Sequence, residues 1–182
     1  MNIINFNSAL ITGGAGFIGS YIAEKLVEAG IDTRVIDNLV TGKKENLAKC
    51  FERDNFSFLK YDLGNLDGIE EYLNDADVLF HFAADPEVRT GYSRPEDSFE
   101  QNIVNTFNLL QKIKQTKIKK LIFASSSSVY GDAEEVPTSE NCKLNPMSPY
   151  AIHKLIGEQY CKLFSELYDL ETVCLRYFNV YG

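Results

Sequence analysis

A doubly wound α/β fold, a parallel sheet with helices on both faces, is the architecture the sequence predicts, and three observations predict it. Short runs of β-branched and aliphatic residues alternate with stretches of helical period. Those runs are almost continuously apolar, as strands buried on both faces are. The first run passes at once into Gly13-Gly14-Ala15-Gly16-Phe17-Ile18-Gly19, which joins it to a helical pattern.

In chain order, the first strand is predicted over Ser8 to Thr12, followed by a helix carrying Ile18, Ile22, Leu26 and Ala29 on one face. Further strands are predicted at Thr33 to Asp37, Phe56 to Lys60, Val78 to Ala83, Lys120 to Ala124 and Thr172 to Arg176. Helices are predicted near Leu66 to Leu73, Ser98 to Gln115 and Ser148 to Tyr168, the second with Phe99, Ile103, Phe107 and Leu110 on one stripe. In such a fold ligands lie at the carboxyl ends of the strands.

At 182 residues and 45% hydrophobic, the chain supports one sizeable core, so residues 1–182 are read as a single domain. A net charge of -8 and a pI near 4.8 exclude a nucleic-acid binder that works through phosphate neutralisation. No apolar run approaches the roughly 20 residues a bilayer needs, and the N-terminus lacks the parts of a signal peptide. A soluble, cytoplasmic protein without a membrane partner is expected. The four cysteines are scattered without a CxxC pair, and with only His81 and His153 no metal-ligand spacing arises; reduced thiols and no metal are expected. The acceptor pattern Asn55-Phe56-Ser57 is read as chance. The chain stops at Asn179-Val180-Tyr181-Gly182, directly after a strand, and reads as cut.

The glycine-rich turn fits both GxGxxG from Gly14 and GxxGxxG from Gly13. Missing side chains let backbone approach a pyrophosphate, whose charge the positive end of the following helix stabilises. A packing turn alone could use the same glycines, but Asp37 closes the second strand 18 residues past Gly19, where a carboxylate can accept from a ribose diol. A 2′-phosphate against Asp37 costs about 4 kcal/mol per unit charge at 4 Å and an effective dielectric near 20. NAD is therefore expected over NADP, although Lys43 and Lys44 lie a short loop away. No Gly-Lys-Ser/Thr closes a Walker loop.

Tyr150 and Lys154, four residues apart, share one face of the last helix. A tyrosine needs roughly 4 kcal/mol of phenolate stabilisation to act as a base at neutral pH. A nearby ammonium and a cationic nicotinamide can supply it. The strand ending at Ala124 runs into Ser125-Ser126-Ser127-Ser128-Val129-Tyr130-Gly131, which sets hydroxyls at the edge where a bound cofactor's reactive ring lies.

Taken together, TGGAGFIGS, VIDNL, Tyr61-Asp62-Leu63, His81-Phe82-Ala83-Ala84, SSSSVYG, SPYAIHK and LRYFNVYG resemble the extended short-chain dehydrogenase/reductase family, in its sugar-nucleotide epimerase and dehydratase branch, over essentially the whole chain. The resemblance implies a Rossmann-type NAD domain with a tightly held NAD. It puts the catalytic hydroxyl on Ser126, the base on Tyr150, and the ribose-binding, pKa-lowering cation on Lys154. It assigns cofactor binding to Gly13, Gly16, Phe17, Ile18, Gly19, Asp37, Asn38, Asp62, Leu63, Ala83 and Ala84. Asn102 is set beside the site and Asn179 against the sugar nucleotide. The implied reaction is 4-epimerisation of UDP-glucose and UDP-galactose through a 4-keto sugar. UDP-N-acetylglucosamine 4-epimerisation and UDP-glucuronate decarboxylation or epimerisation are alternatives, and a non-catalytic nicotinamide-binding sensor is an alternative of another class.

Where the family's dehydratases carry an acidic pair this chain has Ser127 and Ser128, which argues against dehydration. Ala84 to Arg89 resembles the archaeal type of the 4-epimerases, with Arg89 either on a substrate phosphate or solvated. His153 departs from the small residue usual in the family. Family members continue into a sugar-binding domain that this chain lacks. A homodimer through the helices near 98–115 and 148–168 is implied, although Ile152, Ile156, Tyr160, Leu163 and Leu167 could equally pack on the sheet.

Overall fold

Near-continuous apolar strands need cover on both faces, and the computed structural model, which describes residues 5–87, 90–133 and 135–181, provides it. The strands are β1 (Ser8–Thr12), β2 (Asp32–Asp37), β3 (Phe56–Lys60), β4 (Val78–His81), β5 (Lys120–Ser126) and β6 (Glu171–Tyr177). All neighbours pair in parallel, in the order β3-β2-β1-β4-β5-β6. Thr12 at the end of β1 stands level with Ile36 on one side and His81 on the other. The chain winds outward from β1 to β3 and then returns past β1 to β4, so the connections leaving β1 and β4 diverge and a crevice opens between them.

Alternation along β1 divides the core. Ala9 and Ile11 face α1 (Phe17–Glu28) in a cluster with Val35, Ala23, Leu26 and Leu47. Leu10 faces the opposite layer with Leu79, Leu121, Leu110 and Phe164. That layer contains α2 (Glu70–Asn74), α3 (Thr90–Ser93), α4 (Pro95–Phe99), a π-helical turn (Glu100–Val104), α5 (Asn105–Ile113) and α6 (Pro149–Leu167). Among the described residues no helix is long and apolar enough to cross a membrane, and no cluster of three or more His, Cys, Asp or Glu could hold a metal ion.

All six strands form within a few residues of their predicted bounds; β4 is shorter, because Phe82 and Ala83 turn away toward the crevice. The helices depart further. In α1 the buried stripe is Gly19, Ala23, Leu26 and Val27, while Ala29 is exposed and Ile18 turns to the crevice. In the stretch 66–73 the helix forms only from Glu70, after a turn with Gly68 at φ 88°. The long helix begins at Pro95, and its π turn carries an extra residue, which rotates Phe99 off the stripe of Ile103 and Leu110 to 50% exposure. In α6 the sheet side is Ala151, Lys154, Gly157, Cys161 and Phe164, whereas Ile152, Leu163 and Leu167 face outward.

Two contacts make the layers tight. His81 is fully buried between β1 and α5: Thr12 Oγ1 lies 2.7 Å from its Nδ1 and Thr106 Oγ1 3.0 Å from its Nε2. Because the Thr106 hydroxyl donates to the Asn102 carbonyl at 2.9 Å, it accepts from Nε2–H, and Nδ1 accepts from Thr12. Burial, with the Lys154 charge adding, pushes the His81 pKa down to about 3. At Gly157, an added Cβ would lie 2.5 Å from the buried ring of Phe123.

Gly157→Ala should therefore lower the urea midpoint: overpacking costs about 1–3 kcal/mol and outweighs the ~1 kcal/mol helix-propensity gain. A raised midpoint would contradict the close approach. For His81, the neutral native form competes with an unfolded form that takes a proton near 6.5, so this stabilisation is complete above 6.5 and declines as pH falls toward 3. His153, also pushed down by burial, acts in the same direction. Unfolding free energy measured by urea should drop by about 2 kcal/mol between pH 6.5 and 5; a flat profile would contradict it.

Candidate active site

The crevice at the carboxyl ends of β1 and β4 is a cavity of about 730 Å³. Its floor is the turn from β1 into α1. Gly13 has φ 69°, and a Cβ there would lie 2.5 Å from the Ala83 backbone nitrogen, so only glycine lets the β1 and β4 ends meet. Gly16 begins α1 with no side-chain cap and no acid in the first turn, which leaves the early amides and the positive helix end for an anion. Gly13, Gly16, Phe17, Ile18 and Gly19 all line the cavity.

Asp37, 7% exposed, closes one wall. Its Oδ2 accepts from Ala15 N–H at 2.9 Å and its Oδ1 from Leu39 N–H at 2.8 Å, which fixes the carboxylate and still leaves lone pairs for a diol. Neither Lys43 nor Lys44 lines the cavity; the Lys44 ammonium lies 4.9 Å from the Phe51 ring centroid. Asn38 lines the wall and donates to Asp62 Oδ2 at 2.9 Å, and Asp62 in turn accepts from Gly64 N–H at 2.8 Å. Asp62 thus stands behind the lining residues Asn38 and Leu63. On the β4 side Ala83 and Ala84 line the cavity, and the Asn102 amide clamps the next residue, accepting from Asp85 N–H at 2.9 Å and donating to Asp85 C=O at 3.2 Å.

The far end is built from β5 and α6. Ser148 caps α6 by accepting from Ala151 N–H at 3.2 Å, Pro149 starts the helix, and Tyr150 and Lys154 follow one turn apart. Lys154 is 5% exposed; its ammonium donates to the Ala124 carbonyl at 2.9 Å, and burial pushes its pKa down to about 8. Ser126 caps the turn 127–130 by accepting from Ser128 N–H at 3.1 Å, and its hydroxyl faces the Tyr150 phenol. Burial pushes the Tyr150 pKa up, Ser126 opposes this, and the Asp85 charge reinforces it. The ammonium lies 5.8 Å from the Tyr150 ring centroid and is engaged with Ala124, and without a cofactor's charge the balance of burial and Ser126 leaves the phenol raised.

Most residues singled out from sequence thus converge on one cavity, including Asn179. Ser126 and Asp62 do not line it, each touching a residue that does, and Arg89 lies outside the described residues. Sequence reasoning missed Gln101 and Asn105, which line the cavity one helical turn apart. Their signal was available: two polar residues at i and i+4 beside an apolar stripe. The chemistry present suits a dinucleotide: a glycine cradle that a Cβ would fill, a fixed carboxylate, and a buried amine beside a phenol.

Known proteins agree with that geometry. Residues 9–182 match the NAD dependent epimerase/dehydratase family. The chain is 42% identical over 176 residues to a putative UDP-glucose 4-epimerase of Methanocaldococcus jannaschii, a match covering 95% of this chain and 56% of the relative. It resembles the UDP-N-acetylglucosamine 4-epimerase of Methanobrevibacter ruminantium with TM-score 0.91 at 40% identity, covering 98% and 57%. It resembles the UDP-glucose 4-epimerase of Thermus thermophilus in complex with NAD with TM-score 0.87 at 37% identity, covering 96% and 56%. The chain thus spans somewhat over half the length of these relatives. On the match over residues 9–182 and the likeness in both sequence and fold, the chain belongs to the NAD-dependent epimerase/dehydratase family.

Proposed function

We propose that the protein interconverts UDP-glucose and UDP-galactose by 4-epimerisation, with this chain as its NAD domain and a further domain gripping the sugar nucleotide. The observation that carries the reading is the pairing of Tyr150 and Lys154 on α6 with Ser126 and Ala124 on β5, where Tyr150, Lys154 and Ala124 line the same cavity as the glycine turn and Asp37. A second domain is supported by relatives almost twice as long. UDP-N-acetylglucosamine is the second substrate reading, supported by the name of the Methanobrevibacter relative.

The amides opening α1 hold the pyrophosphate, Asp37 the adenosine ribose, and Lys154 the nicotinamide ribose. Bound NAD supplies a hydride acceptor and donor at C4 of the sugar and a positive charge beside Tyr150. Tyr150, aligned by Ser126, would take the proton of the 4-hydroxyl as the 4-keto sugar forms and, after the hexose has turned over and C4 is reduced on its other face, would return that proton to the 4-oxygen. That added charge must offset the burial that raises the phenol and, beyond it, supply about 4 kcal/mol to bring a tyrosine from its ordinary pKa to neutrality. Asn179 and Arg89 are assigned to the sugar nucleotide. A cytoplasmic homodimer is proposed, supported by the outward-facing Phe99, Ile152 and Leu163.

Tyr150→Phe should leave NAD affinity, measured by calorimetry, within about threefold of the parent while kcat drops by 10²-fold or more, roughly the share of a general base. Retained turnover would sink the assignment, and an unaltered protein that binds NAD without epimerising any UDP-sugar would favour the sensor reading. For the cofactor, NADP should bind at least about 100-fold more weakly than NAD, and Asp37→Asn should narrow that ratio by removing the opposing charge. An unchanged ratio would place discrimination elsewhere.

A further inference from the structure

Three consecutive residues at the end of β5 are each engaged by one residue of α6. The Ala124 carbonyl accepts from Lys154, the Ser125 hydroxyl donates to Glu158, and Ser126 faces Tyr150. The first and third contacts belong to the site already described. The second does not: Glu158 lines no part of the cavity, is 6% exposed, and sits one turn beyond Lys154.

A carboxylate buried so deeply is costly unless it is paired and hydrogen-bonded. Arg176 of β6 pairs with it through two nitrogens, Nε to Oε1 at 3.0 Å and Nη2 to Oε2 at 2.8 Å. The same guanidinium donates through Nη1 to the Tyr130 hydroxyl at 3.0 Å and to the Glu140 carbonyl at 3.1 Å. One ion pair thus joins α6, the turn after β5, the segment leading to α6, and β6 beside the cavity-lining Tyr177. Stability does not require it, since an apolar pair of similar volume serves as well or better in many proteins. What an apolar pair lacks is direction.

Lys154 and Tyr150 lie within one turn of α6, so their two contacts fix its angle to β5 at that turn only, and the apolar packing further along, at Gly157, Cys161 and Phe164, sets closeness more than direction. Glu158 adds a third contact one turn further along. We propose, on the epimerase reading above, that Glu158 held by Arg176 is a positioning residue whose grip on Ser125 sets the register of α6 against β5 and so brings the Tyr150 oxygen to Ser126 and the sugar's 4-hydroxyl. An error of about 1 Å in such an alignment costs on the order of 10²-fold in rate.

The test uses the full-length, NAD-loaded protein with Glu158→Gln and, because the single change leaves a half-buried guanidinium without its carboxylate, the double variant Glu158→Leu/Arg176→Met. Tyr150 is titrated by NMR of 13C-tyrosine-labelled protein, its signal assigned with Tyr150→Phe, and turnover is measured per bound NAD. Both variants should bind one NAD per chain with Kd within about threefold of the parent, shift the Tyr150 titration upward by about one unit, and lose about 10²-fold in kcat at similar KM. The double variant should do so with a melting temperature close to the parent's. Either variant, folded and NAD-bound, keeping the parental Tyr150 titration and turnover overturns the proposal. So does a loss of turnover that only tracks lost NAD binding. The Tyr150 titration needs no turnover, so an unaltered protein inactive on every UDP-sugar would remove the epimerase reading while the NMR arm still decides whether Glu158 sets the register.

Discussion

The reversal of strand order at β1 is the constraint on which everything else rests. Because the chain leaves β1 toward β2 and later returns past it to β4, the two connections part and expose the carboxyl end of the sheet. Into that gap the backbone turn at Gly13, the uncapped start of α1 and the carboxylate of Asp37 all point. Each is a consequence of position before it is a consequence of residue type. Gly13 must be glycine because Ala83 lies where its Cβ would be, and the approach of β1 to β4 is what defines the gap.

Around this gap the protein spends stability on direction. Buried His81, Lys154 and Glu158 all sit where hydrocarbon would be simpler, and each is fixed by short hydrogen bonds to a neighbouring element. Among the described residues no buried side-chain nitrogen or oxygen is left without a partner. His81 joins β1 to α5, Lys154 joins α6 to β5, and Glu158 joins α6 to β5 and β6. Polar contacts of this kind specify angle and register, whereas the apolar clusters on the two faces specify only proximity.

The strands were legible because burial on both faces writes itself into composition, and the turn was legible because few residue types tolerate it. Helix faces were read less well. The π turn at 100–104 shifts the period, so Phe99 leaves the stripe it was read into, and Gly68 at φ 88° delays to Glu70 the helix that was read from Leu66. At the site, spacing revealed Tyr150 and Lys154 as neighbours on one helix face and Asp37 as the companion of the glycine turn. It could not reveal that burial raises the Tyr150 phenol, or that Lys44 lies against Phe51 instead of the ribose wall, because both depend on how the chain packs in three dimensions. Nor could it single out Glu158, which in one dimension is another acid on a helix.

The central claim is that one cavity at the switch point receives the whole cofactor, and hydrogen–deuterium exchange with and without NAD tests it most directly. The account predicts protection appearing together at residues 13–19, 37–39, 83–85 and 124–128, with the outer turns of α6 unaffected. Protection confined to one of these segments, or appearing chiefly on the outer face of α4 and α6, would contradict it.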